Sequence, residues 1–452
     1  MRIRKSQALR RIEANDKIDK IHLSCLCEKH KFETWCIMTN GCSIDTELVV
    51  IGGGPAGMMC AVAAANQGSQ AKIVLLEKND RPGKKLLIAG SGRCNLTHAG
   101  PITEFFGHYG IHGRFVRPVL LHFTNDDLAR FFADRGLPLV ELNDGKLFPV
   151  TESSHDVRRV LLDAMRESGV DLRCCTAVEH IEREPDGTFL LHLANQPAIL
   201  RSQSVVIATG GKTYPITGST GDGYRLAESM GHAIVEPAPA LVPVRVRDYP
   251  FAGCAGLSFE NAEVRLFRNG KRIASARGDL LLTHCGLSGP VILDMSRDIL
   301  PGDEIRISFV AGWIDANVFE KQLTDDASAF GKKSVKNMLA KYGIPERLLV
   351  RLFEQNGIAL DLTAAELSRT TRKTLAGVLT EHCFSVAKLG GDNEAMVTRG
   401  GVSLTQVNRN TMQSRLVPGL FFCGEVLDID GGTGGYNLQF AFSSGQLAGD
   451  SL

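Results

Sequence analysis

A short apolar strand that runs into three spaced glycines constrains this chain more than any other feature. Residues 47–51, Glu-Leu-Val-Val-Ile, have the length and β-branched content of a buried strand. Gly52-x-Gly54-x-x-Gly57 follows at once. Pro55 then opens a helical stretch at the position proline favours, and Gly68 offers its stop. A second strand, Ile73–Leu76, ends in Glu77, twenty residues after Gly57. Gly52 permits the tight turn, Gly54 lets backbone approach a pyrophosphate, and Gly57 lets helix pack on strand. Ala56 sits in the first helical turn, where unpaired N–H groups and the positive dipole end favour an anion. Glu77 can accept from ribose hydroxyls. Strand, glycines, helix and acid at these spacings form a dinucleotide-binding βαβ unit rather than a bare glycine pattern.

The bulk numbers exclude several other classes. The 452 residues suffice for two or three domains. A net charge of +1 gives no reason to expect a nucleic-acid surface. No run of about 18 apolar residues suggests a membrane span. The twelve cysteines contain no CxxC pair and fit reduced thiols in a cytosolic protein. Residues 1–45 carry Cys25, Cys27, His30, Cys36 and Cys42 at spacings that match no standard zinc pattern, so no metal is assigned. They lack the apolar core of a secretory signal, and Glu13, Asp16 and Asp19 argue against a transit peptide. The expectation is an extension, with Met38 as an alternative start.

Beyond the first unit, a basic loop, Arg81-Pro-Gly-Lys-Lys85, leads into Ser91-Gly-Arg-Cys-Asn-Leu-Thr97. Helical patterns run over 115–136 and 154–168, the second opening at Ser153/Ser154 with Val157, Val160, Leu161 and Met165 on one face. Strand-like runs cover 171–181 and 188–193, joined by Glu184-Pro-Asp-Gly187. Another buried strand, Ser204–Ile207, ends in Ala208-Thr-Gly-Gly211, and Asp222 is placed to cap the helix after it. From 233 to 303 the pattern is β-rich; from 315 to 381 it is helical. Strand and glycine then return, in Gly400–Leu404 and in Gly419-Leu-Phe-Phe-Cys-Gly-Glu425.

Dinucleotide-type elements at both ends imply a discontinuous nucleotide-binding domain with an insert of about one domain's size. We draw the parts as extension 1–45, cofactor domain 46–235 and 396–452, β-rich insert 236–310 and helical insert 311–395.

The C-terminal half carries the second signal. A strand ending in Gly424-Glu425, a glycine cluster at 431–435 and a helix opening near Tyr436-Asn-Leu-Gln suit a flavin, whose reduced ring is stabilised by a helix N-terminus. Arg93 suits phosphate or a flavin carbonyl. Cys94 has no resolving partner nearby in sequence and is read as positional. No second strand–GxGxxG–helix unit exists, so no separate nicotinamide domain is expected. No HExxH, Gly-x-Ser-x-Gly or Walker A motif supports a hydrolase or NTPase.

Taken with Thr283-His-Cys-Gly-Leu-Ser-Gly-Pro290, these motifs resemble the BaiN-like NAD(P)/FAD-dependent oxidoreductases over about residues 45–450. The resemblance implies an α/β fold: a glutathione-reductase-type, Rossmann-like FAD domain with an inserted β-barrel plus helical domain. It also implies noncovalent FAD, a cytoplasmic location and, in one branch, reduction of C=C bonds in bile-acid intermediates. Carried onto this sequence, the FAD contacts fall on Gly52, Gly54, Pro55, Ala56, Gly57, Glu77, Lys78, Lys85, Gly92, Arg93, Cys94, Asn95, Leu96, Val178, Thr209, Gly210, Gly424, Glu425, Gly435, Asn437 and Leu438.

The reading is an NAD(P)H-driven reductase of an activated C=C bond or a similar small organic acceptor, by hydride transfer through flavin N5, with no nucleic-acid or membrane partner. His284 and Tyr436 are the candidate proton donors, and no catalytic residue is assigned. The alternatives are a FAD-dependent hydroxylase or tRNA-modifying enzyme, and a nonenzymatic flavin-binding sensor.

Overall fold

The computed structural model describes residues 44–452 apart from 68–71, 143, 198 and 311–313. Residues 1–43 and Gly68 lie outside the described residues; Ile44 and Asp45, drawn above with the extension, belong instead to the first strand.

The apolar run at the start forms β1 (Ile44–Ile51), and α1 (Pro55–Ala65) follows with Gly54 as N-cap and Pro55 first. β2 (Ile73–Leu76) returns parallel to β1. A small antiparallel sheet then forms from β3 (Thr97–His98), β4 (Leu139–Glu141) and β5 (Lys146–Pro149). Between its strands lie α2 (Ile102–Phe105), α3 (Gly113–His122) and α4 (Asn125–Ala133). The single helical pattern read over 115–136 is therefore two helices. Thr124 and Asp127 form a capping box that starts α4, because each side chain takes the other's backbone N–H.

α5 (Ser154–Glu167) buries Val157, Val160, Leu161 and Met165. Neither opening serine caps it; Ser154 Oγ instead donates to Leu87 O at 2.9 Å and ties α5 to the 86–92 segment. β6 (Asp171–Arg173), β7 (Val178–Arg183), β8 (Phe189–Leu193) and β9 (Ile199–Ile207) complete the large sheet. The run 171–181 is thus two strands, divided where Cys175 turns to a positive φ of 54°.

The sheet order is β6-β2-β1-β9-β8-β7. One edge of β9 takes β1 along its length. The other takes β8 antiparallel at residues 199–202 and, in parallel at 205–207, β18 (Leu420–Phe422) from far downstream. The parallel strands β2 and β18 are buried at every position, as strands covered on both faces must be. The carboxyl ends of β1, β2, β9 and β18 therefore open together, where such sheets bind ligands.

After α6 (Asp222–Ser229), β10 (Ile234–Ala240) pairs antiparallel with β17 (Val397–Val402), and the chain between them forms the insert. A closed barrel is built from β11 (Val244–Val246), β12 (Ser258–Arg268), β13 (Lys271–Leu282), β14 (Gly286–Ser288), β15 (Glu304–Ile307) and β16 (His382–Leu389). α7 (Pro290–Met295) follows β14; α8 (Ala316–Phe330), α9 (Val335–Leu339), α10 (Glu346–Gln355) and α11 (Arg369–Thr380) separate β15 from β16. β16 corrects the boundary drawn at 311–395. Residues 382–389 are not helical but pair with β15 and β11 and close the barrel. Barrel and helices share one hydrophobic core, distinct from that of the large sheet. The last element, α12 (Tyr436–Asp450), packs on α1.

Candidate functional site

The β1–α1 turn is built as its glycines require. Gly52 has φ +112°, and a Cβ there would sit 2.5 Å from Ala208 O. A Cβ on Gly57 would sit 2.0 Å from Gly52 O, so only glycine lets α1 start this close to the turn. A Cβ on Gly54 would meet nothing within 4 Å, so that residue faces open space beside the first turn of α1. Pro55 lacks an N–H, and those of Ala56 and Gly57 have no partner among the described residues.

Glu77 leaves β2 buried and tied to this turn. Its Oε2 accepts from Gly53 N at 2.9 Å, and its Oε1 accepts from Asn79 N at 2.8 Å and Asn79 Nδ2 at 2.7 Å. Thr176 N donates to Glu77 O, which brings the chain past the acid two residues before Val178. Asn79 was not singled out from the sequence; its nearness to Glu77 was the available signal.

A second cluster joins four distant segments. Lys85 Nζ donates to both oxygens of Glu425, at 2.9 and 2.8 Å, and to Thr213 Oγ1 at 2.9 Å. Glu425 also accepts from Thr398 N at 2.8 Å, and Thr398 Oγ1 accepts from Lys212 N and Thr213 N. Thr209 follows β9 with its Oγ1 buried and without a hydrogen-bond partner, next to Gly210. Gly424 sits against α1: a Cβ there would be 2.8 Å from Ala56 Cβ. Thr213 and Thr398 carried no sequence signal, because isolated threonines have none.

The 89–97 loop is conformationally unusual. Gly90, Ser91, Gly92 and Cys94 all have positive φ, rare for the two that are not glycine. Such strain persists where surrounding contacts enforce it, often at ligand clamps. Asn95, with its amide oriented to suit its neighbours, donates to Thr97 O and Leu147 O and accepts from Gly435 N at 3.0 Å. It thus fixes the residue that precedes α12. Asn437 folds back, accepting from Gly431 N and donating to Gly431 O and Gly432 O. Cys94 and Leu96 are fully buried, and burial pushes the Cys94 thiol up to about 12. Cys94 is therefore no nucleophile at neutral pH.

Other candidates are engaged elsewhere. Arg93 lies over the Phe148 ring at 4.9 Å and 3.4 Å from Glu152. Lys78 pairs with Asp222 and Thr220. Asp222 thus serves that ion pair and does not cap α6, whose N-cap is Gly221. Leu438 packs on the core of the large sheet. His284 is exposed on the β13–β14 turn.

Tyr436 is the more informative candidate. Its ring stacks on His108 at 3.8 Å and His98 at 5.5 Å, both at 14° between planes. Burial, then the charge of Asp294, push its phenol up to about 12. Burial holds the His108 imidazole below its ordinary range and raises the Asp294 carboxyl. In each case burial works against the charged form.

Residues 46–451 match the family described as HI0933-like protein Rossmann domain. The chain is 31% identical over 407 residues to a 3-dehydro-bile acid delta(4,6)-reductase of Clostridium scindens, covering 88% of this chain and 97% of that protein. It is 32% identical over 412 residues to a ribosomal RNA dihydrouridine synthase of Escherichia coli, covering 90% and 98%. A solved 3-ketosteroid delta1-dehydrogenase of Sterolibacterium denitrificans overlays with a TM-score of 0.48 at 12% identity, covering 90% of this chain and 98% of that one.

Proposed function

From the premise that the chain belongs to the HI0933-like Rossmann-domain family and is a FAD-dependent oxidoreductase, we propose that it reduces a C=C bond conjugated to a carbonyl. NAD(P)H, docking transiently, is the proposed electron donor.

The residues present fit FAD. Space opens before Gly54, and the first-turn N–H groups of α1 are unpaired. When bound, FAD supplies hydride transfer. In this reading Gly52, Gly54, Pro55, Ala56 and Gly57 cradle the pyrophosphate. Glu77 takes the adenosine ribose, beside Val178. Lys85, Glu425, Thr209, Gly210 and Gly424 border the ribityl chain. Gly92, Arg93, Cys94, Asn95 and Leu96 form one wall through backbone and side chain. Gly435, Asn437 and Leu438 aim the α12 N-terminus at the flavin ring, favouring negative charge there. The observation that carries the proposal is the gathering of Gly52–Gly57, Glu77, Thr209 and Glu425 at the carboxyl ends of four parallel strands.

The names of the two relatives converge chemically. A 3-oxo bile acid with Δ4,6 double bonds and a uridine both present a C=C conjugated to a carbonyl, which makes the far carbon accept hydride. A small-molecule acceptor is the first choice, in keeping with the near-neutral chain. Uridine in ribosomal RNA is the second, favoured by the Escherichia coli relative.

Purified protein should be yellow, absorbing near ~450 nm as oxidised flavins do. Anaerobic stopped-flow with NADH and NADPH should bleach that band. The reduced enzyme is then mixed with a 3-oxo-Δ4 steroid or with unmodified ribosomal RNA, and the acceptor that restores the band is the substrate class. A protein that rejects FAD, or bleaching by neither nicotinamide, would sink the proposal.

A further inference from the structure

The motif Thr283–Pro290 has no part in the chemistry above, yet its geometry is specific. Thr283 N and Oγ1 both donate to Gly286 O, at 2.8 and 3.0 Å. A Cβ on Gly286 would lie 2.0 Å from Val244 O. Gly289 has φ +93°, and a Cβ there would lie 2.5 Å from Asp279 O. Gly289 is the N-cap of α7 and Pro290 its first residue. The motif is a tight hairpin that launches α7 from the barrel in one direction.

α7 reaches back to the cofactor domain at two points. Asp294 accepts from Thr433 N at 2.7 Å and from Thr433 Oγ1 at 3.0 Å. Arg297, just past the helix, has Nη2 2.7 Å from Asp430 Oδ2 and donates to Asp430 O at 3.1 Å. The segment held between these points, Asp430–Thr433, leads through Gly434 and Gly435 into α12. It is also held by Asn437 from within and by Asn95 at Gly435. Without Asp294 and Arg297, this glycine-rich run would keep, among the described residues, the bonds of those two asparagines and the backbone bond from Gly432 N to His108 O.

We infer that Asp294 and Arg297 are positioning residues, a two-point clamp by which the insert fixes the Asp430–Gly435 loop and, through it, the N-terminal turn of α12 that faces the flavin ring. The inference rests on the FAD reading given above. Its physical content is that the first N–H groups of a helix stabilise developing negative charge only when held in place beforehand. The insert would then tune the cofactor without touching it.

The test compares holoenzyme and apoprotein of wild type, Asp294→Ala, Asp294→Asn, Thr433→Val and Arg297→Gln. Two quantities are read: the flavin midpoint potential, and amide hydrogen exchange over residues 431–438. In Asp294→Ala and Arg297→Gln the exchange should quicken by about tenfold or more. The potential should move negative, because the reduced flavin loses its stabilising dipole. Asp294→Asn keeps shape and one acceptor, so it should fall between wild type and alanine. Combining Thr433→Val with Asp294→Ala should add little to either alone.

Exchange and potential both at wild-type values in Asp294→Ala and Arg297→Gln would overturn the clamp. Faster exchange with an unmoved potential would overturn its link to the flavin. If wild type binds no FAD, the functional proposal fails, and exchange in the apoprotein still decides whether the clamp exists.

Discussion

Single positions around the β1–α1 turn separate folding from binding. Gly57 has no room for a methyl group beside Gly52 O, whereas Gly54 has open space. Gly57→Ala should therefore cost about 1–3 kcal/mol of stability, as overpacking does. Gly54→Ala should leave the melting temperature of the apoprotein unchanged and weaken FAD at least about tenfold, since its methyl group enters the cradle. Thermal melts and flavin titration check both. Wild-type affinity in Gly54→Ala would place the pyrophosphate elsewhere. Both glycines were legible in the sequence, because a dinucleotide turn requires them at fixed offsets. Arg93 and Lys78 were legible only as charges. Their partners Glu152 and Asp222 depend on how remote loops fold.

Among elements, those governed by local chemistry were read most closely: β1, α1, β2 and the α5 face follow hydrophobic period and capping rules. The division of 115–136 into α3 and α4 was also encoded, in the Thr124/Asp127 box, but amphipathic periodicity masks a break that preserves the buried side. The Lys85–Glu425 pair is of another kind, joining the loop after β2 to the end of β18 across 340 positions. Both side chains are about three-quarters shielded from solvent. A double-mutant cycle with Lys85→Met and Glu425→Gln in denaturant should give a coupling of about 1–2 kcal/mol, within the range for partly buried networked pairs. No coupling would mean the pair does not join those segments energetically.

For the molecule as a whole, closure of the insert barrel depends on β16. His382 stands there among the rings of Phe251, Phe309 and Phe384. Burial lowers its imidazole from 6.5 to about 4. The unfolded chain therefore binds a proton between pH 6.5 and about 4 that the folded chain does not. Stability from this group is complete above that window and falls as pH drops through it, by about 3 kcal/mol in total. Chemical denaturation of wild type and His382→Phe from pH 7 to 4 should show the wild type losing more. Parallel curves would refute the assignment.

What the sequence determined by itself is what local rules govern: the dinucleotide turn, the acid after β2, the strand-glycine-helix signal at the C-terminus, and a separate middle. Turn conformation, helix starts and strand period are set by neighbours in the chain, so they survive without three-dimensional information. Only the tertiary structure decided which distant groups meet. It joined β18 to β9, Lys85 to Glu425 and Asn95 to Gly435, made β16 the sixth barrel strand, and laid α7 across the loop before α12. Those contacts arise from burying two cores at once, and the apolar burial that drives this is non-directional, so it leaves no local pattern to read.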